Sequence, residues 1–230
     1  MINNNGSSGT SGAFIVDNSA KIATMLSFTD KDDFYFLQIL KRRKDNPEMS
    51  RDMIVIGNYY IESIEQYIKL NPHIINVCNV ENARAYIRLN KRNYKHLSFH
   101  MLKRVVEVVS SGTYKSLKSA FDSVTGEFHN DKNKTWIIDI DWKDFDFTKV
   151  IVIPKENGDM GIMTGDPKIS ELLWLIHGLQ IEAKREPMSE ILPTKNGVHI
   201  ITHPFNLQKF KEKFPLVDVH RDNPTILYCP

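Results

Sequence analysis

Thr135-Trp136-Ile137-Ile138-Asp139-Ile140-Asp141-Trp142 is the stretch on which the reading of this chain turns. Side chains along a strand alternate faces with a period of two residues. Trp136, Ile138, Ile140 and Trp142 therefore share one face, and Ile137, Asp139 and Asp141 share the other. Two neighbouring carboxylates repel each other, and burying them unpaired is costly. A divalent cation such as Mg2+ or Mn2+ removes both penalties, because these ions prefer hard oxygen ligands. A solvent-facing edge strand would tolerate the same pair, so the motif by itself leaves both readings open.

Composition narrows the classes around it. A chain of 230 residues can bury a real core as one large or two small units. With 41% hydrophobic and 25% charged residues it has the make-up of a folded globular protein. The net charge of +2 implies no bulk affinity for polyanions, so a nucleic-acid role needs a local basic face. Two cysteines, Cys78 and Cys229, exclude a disulfide framework and a multi-cysteine zinc site, and no zinc is expected. The absence of a long apolar run or a signal peptide predicts a cytoplasmic protein without a membrane partner.

Outward from the acidic strand, residues 1–12 are polar and small and predict a disordered tail, with structure from Ala13. Asp33–Lys41 reads as a strand, running into the cations Lys41-Arg42-Arg43-Lys44, which suit either a phosphate backbone or a solvated loop. Met53–Ile56 reads as a short buried strand. Asn58 reads as the cap of a helix over Tyr59–Leu70, with Asn71-Pro72 as its stop. Ala83–Asn93 alternates, placing Arg84, Tyr86, Arg88, Asn90 and Arg92 on one exposed face. That face is a platform for phosphates or bases, or simply an outward polar surface. Tyr94–Val109 predicts a helix with Leu97, Met101, Leu102, Val105 and Val108/Val109 inward, followed by a short helix over Thr113–Phe121 and a loop over 122–134.

Beyond Trp142, Asp144 and Asp146 read as turn or surface acids. Val150–Ile153 is a strand, Asn157-Gly158 a turn, and Asp166-Pro167 a helix start leading to about Lys184, with His177 an ordinary helix residue. Pro193–Thr202 predicts a hairpin turning at Asn196-Gly197. It would gather Thr194, Lys195 and His199, whose donors suit anionic oxygens such as a triphosphate, and His203 would share the face of His199. Asn206 caps a short basic helix, Leu216–His220 is a strand carrying a third isolated acid, Asp218, and Thr225–Tyr228 is the last strand.

In order, these are Ile138-Asp139-Ile140-Asp141, Thr194-Lys195-Asn196-Gly197-Val198-His199 and Val217-Asp218. In this combination the chain resembles the archaeo-eukaryotic primase superfamily, including small phage and plasmid primase-polymerases. That family carries an acidic pair between hydrophobic residues, a Ser/Thr…Gly-x-His motif and a downstream acid. Thr194 stands where Ser is commoner, and the zinc cluster of some members has no counterpart. The resemblance implies an α+β catalytic core over 13–230. An α/β N-terminal module (mainly 13–134) would pack on an RRM-like module (mainly 135–230), with the active site in the cleft.

It further implies DNA-templated nucleotidyl transfer on single-stranded DNA with NTP or dNTP. Asp139, Asp141 and Asp218 would be catalytic ligands of two Mg2+ or Mn2+ ions, and Thr194, Lys195 and His199 would contact the nucleotide. The Arg84/Arg88/Arg92 face would hold the template, and a separate replicative helicase would be a further partner. Two other readings stand beside it: a catalytically inactive single-stranded nucleic-acid-binding accessory, and a metal-dependent nicking nuclease of the replication-initiator kind.

Overall fold

The computed structural model describes residues 15–127, 134–141, 150–154, 160–164 and 167–230. The expected N-terminal tail, Asp144, Asp146, the Asn157-Gly158 turn and the Asp166 cap lie outside the described residues. What is described is an α+β fold with two antiparallel sheets and six α-helices.

The first sheet has the order β1 (Val16–Asp17), β12 (Thr225–Cys229), β4 (Arg84–Ile87), β2 (Asp33–Arg42), β3 (Met53–Ile61), with β5 (Arg92–Asn93) also on β2. β2 is a near-continuous apolar run because it is covered on both faces. Tyr35, Leu37 and Ile39 pack with Ile22 of α1 (Ser19–Met25) and with Tyr67, Ile74 and Cys78 of α2 (Ile64–Glu81). Phe34 packs with Leu97 of α3 (Tyr94–Ser110) and Val124 of α4 (Ala120–Glu127).

The second sheet has the order β11 (Asp218–His220), β6 (Trp136–Asp141), β10 (Gly197–Thr202), β9 (Ser189–Pro193). Its chain path is β6, then α5 (Pro167–Glu182), β9, β10, α6 (Leu207–Lys213) and β11, with a β7–β8 hairpin (Val150–Pro154, Met160–Thr164) set between β6 and α5. One face carries Ile138, Ile140, Val198 and Ile200, which pack with Leu172, Ile176 and Leu179 of α5 and Phe210 of α6. The other turns Ile137, Leu192 and Ile201 into the core of the first sheet. The chain does not divide at one point. After β11 it returns to the first sheet as β12, between β1 and β4.

Several elements differ from the sequence expectation. The helix expected over Tyr59–Leu70 begins only at Ile64, because Tyr59, Tyr60 and Ile61 complete β3 opposite Leu37, Phe36 and Tyr35. Ser63, not Asn58, is the cap, accepting a hydrogen bond from the Gln66 N–H at 3.1 Å. α2 also runs through Pro72, and it stops at Asn82, whose φ of 45° lies in the left-handed region. An interior proline costs ~3 kcal/mol, and burying Tyr67, Ile74 and Cys78 around it offsets that cost. Met53–Ile56 belong to β3 but are exposed, not buried. Leu102 and Val109 of α3, expected inward, are exposed as well. The helix expected over Thr113–Phe121 is a 3-10 turn (Tyr114–Ser119) leading into α4, and α4 takes the first part of the expected loop. The Asn206 cap is as the pattern predicts, and the helical stripe of Ile169, Leu172, Leu173 and Ile176 faces inward, with Leu173 only partly buried.

Gly197 shows how tightly β10 meets β6. It pairs with Asp141, and a Cβ there would overlap the Ile140 carbonyl oxygen and sit 2.9 Å from the Asp141 Cα. Backbone cannot yield as a flexible side chain does, so Gly197→Ala is expected to destabilise the fold by ~1–3 kcal/mol. Thermal unfolding would show this as a melting temperature lower by about 2–4 °C per kcal/mol.

Candidate active site

Asp139 lies mid-strand on β6 and is in direct register with both neighbours: His199 of β10 on one side and Asp218 of β11 on the other. Residues opposite one another in an antiparallel sheet project from the same face. Three of the residues singled out in the sequence thus form one row, and Asp141 stands two residues along on the same face. Ile138 and Ile140 anchor the opposite face, so β6 cannot rotate its acids away without exposing them.

His199 turns toward the first sheet. Its Nδ1 is hydrogen-bonded to the hydroxyl of buried Thr225 at 2.8 Å, and its Nε2 is 3.6 Å from Asp139 Oδ1. The second distance is too long for a hydrogen bond but short enough for attraction. Burial lowers the His199 pKa below its ordinary value; the Asp139 carboxylate pulls it back up in part, and His220 lowers it further. Burial thus favours the neutral imidazole.

A cavity of about 530 Å³ opens at the acidic end of β6. Asp139, Ile140, Asp141 and Asp218 line it, together with Lys168 and Glu171 from the start of α5, Lys213 from the end of α6, and the segment Phe214–Val217. Four carboxylates against two ammonium groups give it a formal balance of −2. Lys213 is 3.7 Å from Glu171. Three Asp side chains are hard oxygen donors of the kind Mg2+ or Mn2+ takes, so the chemistry of the donor set fits such an ion. Among the described residues, no three His, Cys, Asp or Glu side chains are arranged to hold a metal ion as they stand.

The remaining expected residues are placed differently. Lys195 does not join His199: its Nζ pairs with Asp45 Oδ1 at 3.2 Å. Thr194 is buried, and its N–H closes the hairpin turn on the Gly197 carbonyl at 2.9 Å. His203 follows the end of β10, with its ring Nδ1 3.0 Å from the Glu186 carbonyl oxygen, so it does not share the site.

The arginine face expected over Ala83–Asn93 is not exposed. β4 ends at Ile87, the chain turns, and Arg84 and Arg92 are only 5% and 1% exposed. Arg84 grips Asp45 through Nε at 2.7 Å and Nη2 at 2.6 Å. Arg92 grips Asp222 through Nη2 at 2.8 Å and also donates to the Thr125 and Asn90 carbonyls. Arg88 donates to the Asp222 backbone carbonyl and lies 3.5 Å from its carboxylate. Burying a guanidinium demands a partner, and these partners are distant in sequence, which is why alternation alone misread the face. Of the four consecutive cations, Lys41 pairs with Glu81 and Arg43 with Asp52, while Arg42 bonds the Tyr86 hydroxyl.

Sequence reasoning missed Lys168 and Lys213, whose neighbourhood to the acids is purely tertiary. It also missed the parts played by Thr225 and Asp222. Comparison with known proteins returns no match: no family model, no curated protein and no solved structure matches this chain.

The electrostatics of the row give a direct check. In a histidine NMR titration, His199 is expected to take its proton below the ordinary pKa of about 6.5. Asp139→Asn removes the charge that raises it, so the titration should move further down. A shift upward in that variant would contradict the geometry.

Proposed function

We propose that this chain is a DNA-templated nucleotidyltransferase: a primase or primase-polymerase that makes or extends primers on single-stranded DNA from NTP or dNTP. The observation that carries this reading is the row Asp218–Asp139–His199 across three adjacent strands, with Asp141 beside it and all three acids on one cavity. The path β6-α5-β9-β10-α6-β11 on a single antiparallel sheet supports an RRM-like second module, since that β-α-β-β-α-β order is shared by ferredoxin-like folds. The packing of Ile137, Leu192 and Ile201 into the core of the first sheet supports the two-module layout that the primase resemblance implies.

Asp139, Asp141 and Asp218 would hold Mg2+ or Mn2+. Bound there, two such ions would lower the charge barrier to attack by a 3′-hydroxyl and to departure of pyrophosphate. The protein's own part is to position the reactants and balance charge, which is most of what phosphoryl transfer requires. Lys168 and Lys213, which line the same cavity as the acids, would supply positive charge there. Neutral His199, held by Thr225 at Nδ1, keeps Nε2 on the Asp139 side, where an Nε2–H can donate to a phosphate oxygen. Arg84, Arg88 and Arg92 brace the modules rather than reach a template. No helix among the described residues is long and apolar enough to cross a membrane. A cytoplasmic site of action and a separate helicase belong to the same proposal.

Primer synthesis and extension on single-stranded DNA, with Mg2+ or Mn2+ and labelled NTP or dNTP, test it. Asp139→Ala is expected to cut synthesis by roughly 10²–10³-fold or more, and chelation of the metal to abolish it, with salt-sensitive DNA binding retained. Equal synthesis by variant and wild type would overturn the assignment. DNA binding without synthesis under either metal would replace the enzyme by the binding accessory.

Lys168→Ala combined with Lys213→Ala should raise the nucleotide KM about tenfold, the loss of roughly 1.4 kcal/mol of binding, and leave template affinity unchanged. An unchanged KM would remove these lysines from the site.

A further inference from the structure

The cavity at the acidic end of β6 is not polar throughout. The stretch Phe214-Pro215-Leu216-Val217, which joins α6 to β11, lines it together with the acids. Phe214 and Val217 pack on the core of the second sheet, while Leu216 between them is 93% exposed. Lys211 holds the stretch in this shape. Its Nζ donates to the Pro215 carbonyl at 3.2 Å and to the Val217 carbonyl at 2.7 Å, one on either side of Leu216. The Val217 N–H donates to the Phe214 carbonyl at 3.4 Å, and the Phe214 N–H to the Phe210 carbonyl at 2.9 Å. A lone exposed leucine is ordinary on a protein surface. One that a braced backbone presents at a cavity lined by carboxylates is a ready contact for the apolar part of a charged ligand.

We propose that Pro215 and Leu216 form the nucleobase subsite of this cavity, an apolar shelf for the flat face of the base of a bound nucleotide. The proposal rests on the nucleotidyltransferase reading above and adds to it the part of the protein that holds the base. The cavity, about 530 Å³, is within the ~300–1,000 Å³ usual for small-molecule sites. Its charged side chains suit phosphates and their divalent ions, and its apolar stretch suits what remains of the nucleotide. That stretch has little with which to read the edge of a base. Its bonds engage the Phe214, Pro215 and Val217 carbonyls and the Phe214 and Val217 N–H groups. Proline has no N–H, and none of the four side chains is polar. A base there is held by the burial of apolar surface, which every base offers. The shelf is therefore indifferent to which base it holds, and the choice is left to pairing with a template, as templated synthesis requires.

Isothermal titration calorimetry of the full chain with Mg2+, without template, tests this. Each NTP and dNTP is compared with inorganic tripolyphosphate, which has the phosphates but no base. The wild type is expected to bind nucleotides about tenfold more tightly than tripolyphosphate, with the different bases within about threefold of one another. Leu216→Ala should weaken nucleotide binding by about three- to tenfold and leave tripolyphosphate binding unchanged. Leu216 is almost fully exposed, so the variant should keep the wild-type melting temperature. Equal binding of nucleotide and tripolyphosphate by the wild type would overturn the subsite and leave the phosphate and metal site standing. An advantage that survives Leu216→Ala, or one confined to a single base, would overturn it as well. Binding of neither ligand would overturn the nucleotide reading itself, and the subsite with it.

Discussion

β6 has to be buried on both faces while carrying two acids, and the rest of the structure answers that constraint. Ile138 and Ile140 require α5 and α6 on one side. Ile137 requires the core of the first sheet on the other. With both hydrophobic contacts satisfied, the strand is fixed in rotation and in register, since a slip of one residue would exchange the two faces. Asp139, mid-strand and partly exposed, and Asp141, at the C-terminal end, line the cavity that opens there. The carboxylates are tolerated because they sit where the core stops.

Holding that strand in place falls to polar groups of the first sheet. Asn90 donates to the Thr135 carbonyl at 3.1 Å and accepts from the Thr135 N–H at 2.7 Å, pinning the entry to β6. The same side chain donates to the Arg221 carbonyl and to Asp222, which follow β11. Arg88 and Arg92 close on Asp222 from the same side. Two of the three strands that carry the acid–histidine row are therefore tied to one node. A second node, Arg84–Asp45–Lys195, fastens the hairpin turn ahead of the third strand, β10. Burial raises the Asp45 pKa, but the hydrogen bonds and charges of Arg84 and Lys195 outweigh it and hold the carboxyl below its ordinary value. Buried ion pairs of this kind add little net stability over apolar packing, and breaking one strands a charge. Here they fix position more than they add stability, and position is what a charge-handling site requires.

The same economy explains the distribution of cations around the acids. Arginines that could have offered charge to a polyanion are buried inside the protein, while two lysines, Lys168 and Lys213, line the cavity with the acids. A cavity with a formal balance of −2 would repel a bare polyphosphate, and divalent cations would offset that charge. The proposed chemistry follows from that balance as much as from any single residue.

Local pattern was sufficient for what depends on neighbours in the chain. Alternation in Thr135–Trp142 placed Asp139 and Asp141 on one face. Asn-Gly placed the β9–β10 hairpin, Asn206 its helix cap, and the 3.6-residue stripe of α5 its inward side. The order of acid pair, histidine and third acid was legible too, because strands of period two fix which side chains can share a face. What depends on partners far along the chain was not. Pairing with β2 turned Tyr59–Ile61 from helix to strand, and burial carried α2 through Pro72. Asp45 and Asp222 drew in the three arginines that alternation had set outside. The register that brings Asp218 and His199 level with Asp139, and the helices that bring Lys168 and Lys213 to the same cavity as the acids, arise only when sheets and helices pack. Backbone hydrogen bonding and burial are long-range sums, and no window of sequence contains them.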